Sequence, residues 1–130
     1  MERRIGRMIR NMSLNRMGHF SDSGGWEPAV DVLESEDTLY IYMDASGVEV
    51  EELQITAEKN RLTISGRREF PGRNLSCIHQ LEIDYGSFCR RINLPVAVNV
   101  ERSTSRCRNG FLIIELPKLQ SRGKFNIPLS

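Results

Sequence analysis

One dipeptide constrains this chain more than any other. Asn109-Gly110 stands between Arg108 and the run Phe111-Leu112-Ile113-Ile114-Glu115-Leu116-Pro117-Lys118. A two-residue type I′ turn needs φ > 0 at both central positions, and Asn followed by Gly accepts that most readily. The run that follows alternates as a strand does: Leu112, Ile114 and Leu116 fall on one face, Phe111, Ile113 and Glu115 on the other. Pro117 has no backbone N–H and ends the ladder. A hairpin is therefore expected here, with residues 101–108 as its polar first strand, closing an all-β domain.

The same alternation recurs upstream. Trp26-Glu27-Pro28-Ala29-Val30-Asp31-Val32-Leu33-Glu34 opens the domain, and Pro28 marks it as an edge strand. After a turn at Glu36-Asp37, Leu39, Ile41 and Met43 alternate with Tyr40, Tyr42 and Asp44, until Ser46-Gly47 breaks the run. Val50-Glu51-Glu52 is a short acidic connector. Leu53, Ile55 and Ala57 then alternate with Gln54, Thr56 and Glu58, and Lys59-Asn60 turns the chain. Leu62 and Ile64 alternate with Arg61, Thr63 and Ser65, and Gly66 is expected to end that strand. Residues 67–77 form a longer polar excursion. Residues 78–94 are expected as one strand, interrupted at Tyr85-Gly86 and stopped at Leu94-Pro95. Short strands punctuated by turns about every 8–12 residues predict a β-sandwich, and no stretch of residues 26–118 has a helical period.

A chain of 130 residues fits one domain, 26–118, between an arm at 1–25 and a tail at 119–130. A core of about ninety residues buries only about 60–65% of its unfolded surface, so contacts between subunits add stability. The net charge of +1 supplies no field for nucleic acid or an acidic substrate. No apolar run approaches about 18 residues, the length a membrane span requires. Cys77, Cys89 and Cys107 are odd in number and lack C-x-x-C spacing. That pattern points to reduced thiols in the cytoplasm rather than a disulfide framework or a zinc site, with a redox-sensor role as a minority reading. His19 and His79 stand far apart, so no metal site is expected.

In the arm, Ile5, Met8, Ile9 and Met12 recur at helical spacing among Arg3, Arg4, Arg7 and Arg10. Three readings stand side by side: a partly disordered basic tail, an Arg-rich targeting peptide without a secretory h-region, and an adhesive amphipathic arm whose flexible Met side chains fit many surfaces. Contact of the arm with a membrane surface ranks below these. Ser21-Asp22-Ser23-Gly24-Gly25 is a hinge.

Enzyme chemistry lacks its parts. Asp31, Asp44 and Asp84 have no neighbouring His in sequence. Ser87 sits in Gly86-Ser87-Phe88, which is not a nucleophile elbow. Gly47, Gly66 and Gly72 make no phosphate-cradling loop, so no catalytic residue, cofactor or metal is expected.

Several patterns, taken in order, resemble the α-crystallin domain of small heat-shock proteins. They are Trp26-x-Pro28-x-Val30-Asp31-Val32-x-Glu34; Gly47-Val48 followed by Glu51-Glu52-Leu53; Leu62-x-Ile64-x-Gly66-Arg67; Tyr85-Gly86-Ser87-Phe88-x-Arg90-Arg91-x-x-Leu94-Pro95; and Asn109-Gly110-x-Leu112 through Leu116-Pro117-Lys118. Ile127-Pro128-Leu129 resembles the family's I-x-I/V tail anchor. The resemblance spans residues 26–129 and implies an immunoglobulin-like sandwich with a short, partly helical or disordered N-terminal arm and a flexible C-terminal tail.

It also implies a function: an ATP-independent holdase that binds unfolded client proteins and prevents their aggregation. By the same resemblance to members with a long loop, two copies dimerise by strand exchange. Residues 68–73 are then expected to pair with the partner's first strand, and Trp26, Val30, Val32, Arg68, Phe70, Arg73 and Arg90 to form the interface. Dimers assemble into a larger homo-oligomer when Ile127 and Leu129, with Pro128 between them, enter a groove on another subunit. By motif position that groove is lined by Leu53, Ile55 and Ala57 on one side and Ser103 and Ser105 on the other. Client contact is expected through Ile5, Met8, Ile9, Met12, Met17 and Phe20. The family carries Pro-Gly-Val where this chain has Ser46-Gly47-Val48, and Ile and Ala where it has Ser103 and Ser105, so this groove is more polar. The alternative is a co-chaperone or adaptor of the CS-domain type, which shares the sandwich without the tail anchor or the large assembly.

Overall fold

The computed structural model describes residues 25–119. Seven strands occupy the described residues in order: β1 (Val30–Glu34), β2 (Thr38–Asp44), β3 (Gln54–Glu58), β4 (Arg61–Arg68), β5 (Gly86–Asn93), β6 (Thr104–Arg108) and β7 (Phe111–Pro117). Single 3₁₀ turns at Val50–Glu52 and Val100–Arg102 lead into β3 and β6. One sheet runs β1-β2-β7-β6 and the other β3-β4-β5, all antiparallel.

The period-2 patterns explain the layers. Leu39, Ile41 and Met43 from β2 and Leu112, Ile114 and Leu116 from β7 lie cross-strand from one another and are almost wholly buried. Leu62 and Ile64 from β4, with Phe88 and Ile92 from β5, complete the core from the opposing sheet. The β6–β7 hairpin closes as expected, with φ of 54° at Asn109 and 83° at Gly110.

Four expectations need correction. The first strand begins at Val30 rather than Trp26; Trp26 and Pro28 are buried under the sandwich instead of lying along an edge. β4 does not stop at Gly66 but pairs with β5 as far as Arg68 opposite Gly86. A Cβ on Gly66 would stand 2.9 Å from the Phe88 ring and 3.1 Å from Leu53, so this glycine makes room for packing inside a strand. The expected strand over 78–94 exists only at Gly86–Asn93, and residues 69–85 contain no strand. Among the described residues the alternation at 78–83 has no neighbouring strand to pair with, which leaves Ile78 and Ile83 more than half exposed. Finally, residues 101–103 belong to the turn and its exit, so the polar strand starts at Thr104.

Candidate functional site

The sandwich has two lateral margins, and both carry half-finished apolar surface. Trp26 packs edge-on against Phe88 at 5.4 Å, and Arg90 of β5 donates from Nη1 to the Pro28 carbonyl at 2.9 Å. These contacts set the β1 margin of one sheet over the β5 margin of the other. β3 and β6 therefore share the opposite margin.

On the β3/β6 margin, Leu53, Ile55 and Ala57 are half-buried and rest on the core, while Gln54, Thr56 and Glu58 point outward. Across from them, Ser105 pairs with Ile114 and Cys107 with Leu112, so both share the inward-facing side of the sheet. Cross-strand partners point to the same face. Ser103 is half-buried and its Oγ donates to the Asn99 carbonyl at 2.9 Å. All five expected groove residues thus lie on the two strand edges or at their ends. Cys107 was missed, although its parity with Ser103 and Ser105 was the signal that would have found it. At one end the groove opens into a cavity of about 260 Å³, lined among others by Val48, Val50, Leu53, Cys107 and Phe111.

The β1/β5 margin holds the residues expected at a dimer interface, in two groups. Trp26 and Arg68 are engaged within their own subunit. Trp26 Nε1 donates to the Gly86 carbonyl at 2.9 Å, and the Arg68 guanidinium lies 4.1 Å above the Trp26 ring. Arg68 Nε donates to the Asp84 carbonyl at 2.9 Å and Nη1 to the Ser46 carbonyl at 2.8 Å. Burial pulls the Arg68 pKa down from its ordinary value, against the opposing pull of Asp44, Asp84 and Tyr85. Arg68 is thus a bracket joining the chain entry, the β2–β3 connection and the approach to β5. Arg90 is likewise held, by its bond to Pro28.

The second group is open. Val30 and Val32 pair with Met43 and Ile41 on the inward side of β1, yet Val32 remains 40% exposed because no strand flanks β1's outer edge among the described residues. Phe70 packs edge-on against Tyr85 at 5.1 Å, and Leu75 closes over Gly72 beside it. Arg73 is exposed in the same loop. Leu33, Leu75, Ile78 and Ile83 are each more than half exposed, which concentrates apolar surface on β1 and residues 69–85. Ile5, Met8, Ile9, Met12, Met17 and Phe20 of the arm, and Ile127, Pro128 and Leu129 of the tail, lie outside the described residues.

Among the described residues there is no group of three or more His, Cys, Asp or Glu side chains placed to hold a metal ion, and no helix long and apolar enough to cross a membrane.

Comparison with known proteins identifies the architecture. The model of the Hsp20/alpha crystallin family matches residues 31–128. This chain is a member of that family. Heat shock protein 16 of Schizosaccharomyces pombe is 32% identical over 100 residues, covering 75% of this chain and 70% of that protein. Small heat shock protein C4 of Rickettsia felis is 33% identical over 99 residues, covering 75% of this chain but 61% of its own length. Among solved structures, heat shock protein 16.0 from Schizosaccharomyces pombe superposes with a TM-score of 0.67 at 30% identity, covering 81% of this chain and 99% of that one. The hspA structure from Xanthomonas axonopodis gives 0.66 at 32% identity, covering 72% and 95%. Small heat-shock proteins are chaperones and not enzymes.

Proposed function

We propose that this small heat-shock protein is an ATP-independent holdase that captures partly unfolded proteins and keeps them from aggregating. The observation that carries this reading is the pair of open margins on a sandwich of this family: each presents apolar side chains beside strand edges that lack a neighbour among the described residues. Such edges accept extended chain, whether from another subunit or from a client. The family match extends through residue 128 and so includes Ile127 and Pro128 of the tail, a feature that a CS-type adaptor does not need. Three free thiols, all exposed, suit a reducing cytoplasm.

In this reading the β1 margin is the dimer interface. Residue 68 belongs to β4 and Phe70 is packed on Tyr85, so residues 68–73 are poorly placed to be the exchanged segment. Residues 78–83, extended in pattern and exposed, take that role and add a strand to the partner's β1. The β3/β6 groove receives Ile127 and Leu129 of another subunit's tail and links dimers into a larger assembly. The arm contributes client contact through its Ile and Met side chains.

Light scattering tests the function. A heat- or reduction-sensitive client, mixed at an equimolar subunit ratio without nucleotide, should aggregate less. Absence of suppression across several clients overturns the holdase reading.

A further inference from the structure

The cavity at the end of the β3/β6 groove is not explained by a two-residue anchor. It is continuous with the groove, because Leu53 and Cys107 line both. We propose that Phe125 is a third anchor of the tail, its ring filling this cavity on a neighbouring copy of the chain, and that it fixes the direction in which the tail runs. This inference rests on the reading of the groove as the tail's dock.

Size and chemistry fit. A closed apolar space of roughly 150 Å³ holds a benzene ring, and this cavity measures about 260 Å³. Its walls include the buried Val48 and the exposed Val50 and Phe111, an apolar rim suited to an aromatic side chain. Spacing fits as well. Phe125, Ile127 and Leu129 stand at every second position, so an extended tail turns all three toward one side. Leu53, Ile55 and Ala57 repeat with the same period along the groove. With Phe125 in the cavity, Ile127 and Leu129 fall along β3 toward Ala57.

Reach assigns the groove to a neighbour. Leu119 is held at the far end, its N–H donating to the Ala97 carbonyl at 2.9 Å. The six residues from there to Phe125 stretch to about 20–22 Å, little more than the length of β7 itself. A tail folding back on its own subunit would also enter from the Ala57 end. With Phe125 at the cavity, Ile127 and Leu129 would then lie beyond the groove.

The test uses the full chain. In a Cys77→Ser, Cys89→Ser background, Cys107 remains as a reporter on the cavity wall. Mild oxidation should couple Phe125→Cys to Cys107 of another subunit, giving covalent dimers and higher species on a denaturing gel, while Leu129→Cys should not couple. Coupling of Leu129→Cys alone, or of neither, overturns the proposal. In the native background, Phe125→Ala should raise the subunit concentration at half-dissociation by about 10- to 100-fold, as loss of one buried aromatic side chain per contact predicts. Ile127→Ala with Leu129→Ala separates the two ideas. If that double variant dissociates and Phe125→Ala stays within twofold of wild type, the third anchor is wrong and the groove reading stands. If the double variant remains assembled at low concentration, the groove reading itself fails.

Discussion

Arg68→Met removes the bracket that joins three segments far apart in sequence, and its effect can be sized from the contacts. The guanidinium gives one part-buried hydrogen bond to Asp84 and one exposed hydrogen bond to Ser46, and covers the Trp26 ring at 4.1 Å. A charged donor in a part-buried bond contributes about 1.5 kcal/mol, the exposed bond about 0.5, and the cation–π contact about 1. Met keeps the apolar stem and is relieved of the desolvation that depresses the Arg68 pKa, which offsets part of the loss. A net destabilisation of about 2 kcal/mol is expected, or roughly 8–16 °C in Tm for a domain of this size. Trp26 is the single tryptophan and sits beneath Arg68, so its fluorescence reports both the local contact and global unfolding. Urea titrations at one fixed subunit concentration measure the change, since assembly makes stability concentration-dependent. Arg68→Lys should recover about half, because an ammonium keeps the charge but not the planar fork. A Met variant within about 0.5 kcal/mol of wild type, with unaltered Trp26 emission, would refute the bracket.

Four further outcomes are expected. Gly25→Ala should destabilise the domain by about 1–3 kcal/mol, because a Cβ there would lie 1.8 Å from the Ser87 carbonyl oxygen; an unchanged urea midpoint would contradict that packing. Replacing residues 78–83 by a Gly/Ser segment of equal length should yield monomers by native mass spectrometry, and dimers of unchanged stability would place the interface elsewhere. Removing residues 1–20 should weaken client protection and leave the β-sheet circular dichroism intact; full protection would exclude the arm as the main client contact. Ser105→Ile should slow subunit exchange severalfold by adding apolar lining, whereas Ser103→Ile should do less because it also removes the bond to Asn99. Equal effects of the two would show that groove polarity does not limit tail binding.

Much of the sandwich was legible because alternation is a local signal. Leu39, Ile41 and Met43, or Leu112, Ile114 and Leu116, declare their common face within seven residues, and the facing sheets follow from burying those faces. What was not legible depends on contacts between distant residues. Gly66 looks like a strand end in sequence and becomes a packing site only when Phe88 and Leu53 arrive beside it. Trp26 looks like edge-strand surface and turns inward because Phe88, the Gly86 carbonyl and Arg68 make a socket for it. Residues 78–83 have a strand's pattern, yet among the described residues no strand offers a hydrogen-bonding partner. The groove positions were placed by motif, while its end cavity was invisible because it combines residues from 45–53 with residues from 107–111.

The placement of the two margins bears on how the proposed assembly works. They lie on opposite sides of one rigid sandwich, so occupying one does not obstruct the other. A β1 interface formed by reciprocal exchange is isologous and closes on itself as a dimer. A tail entering another subunit's groove is heterologous, and it continues until geometry closes the ring or shell. The two therefore supply different things: the exchanged strands give a durable pair, and the tails give extension. In that assembly, tail contacts facing Ser105 and the half-buried Ser103 would be individually weak, but each dimer would carry two tails and two grooves. Effective concentration then holds the assembly together while any one contact opens often. In the proposed assembly, opening would expose Leu53, Ile55, Ala57 and the cavity, the apolar lining that a docked tail would cover. In this scheme a client competes with the tail for a surface that the assembly stores in covered form, and capture requires no nucleotide because exchange of weak contacts already releases the site.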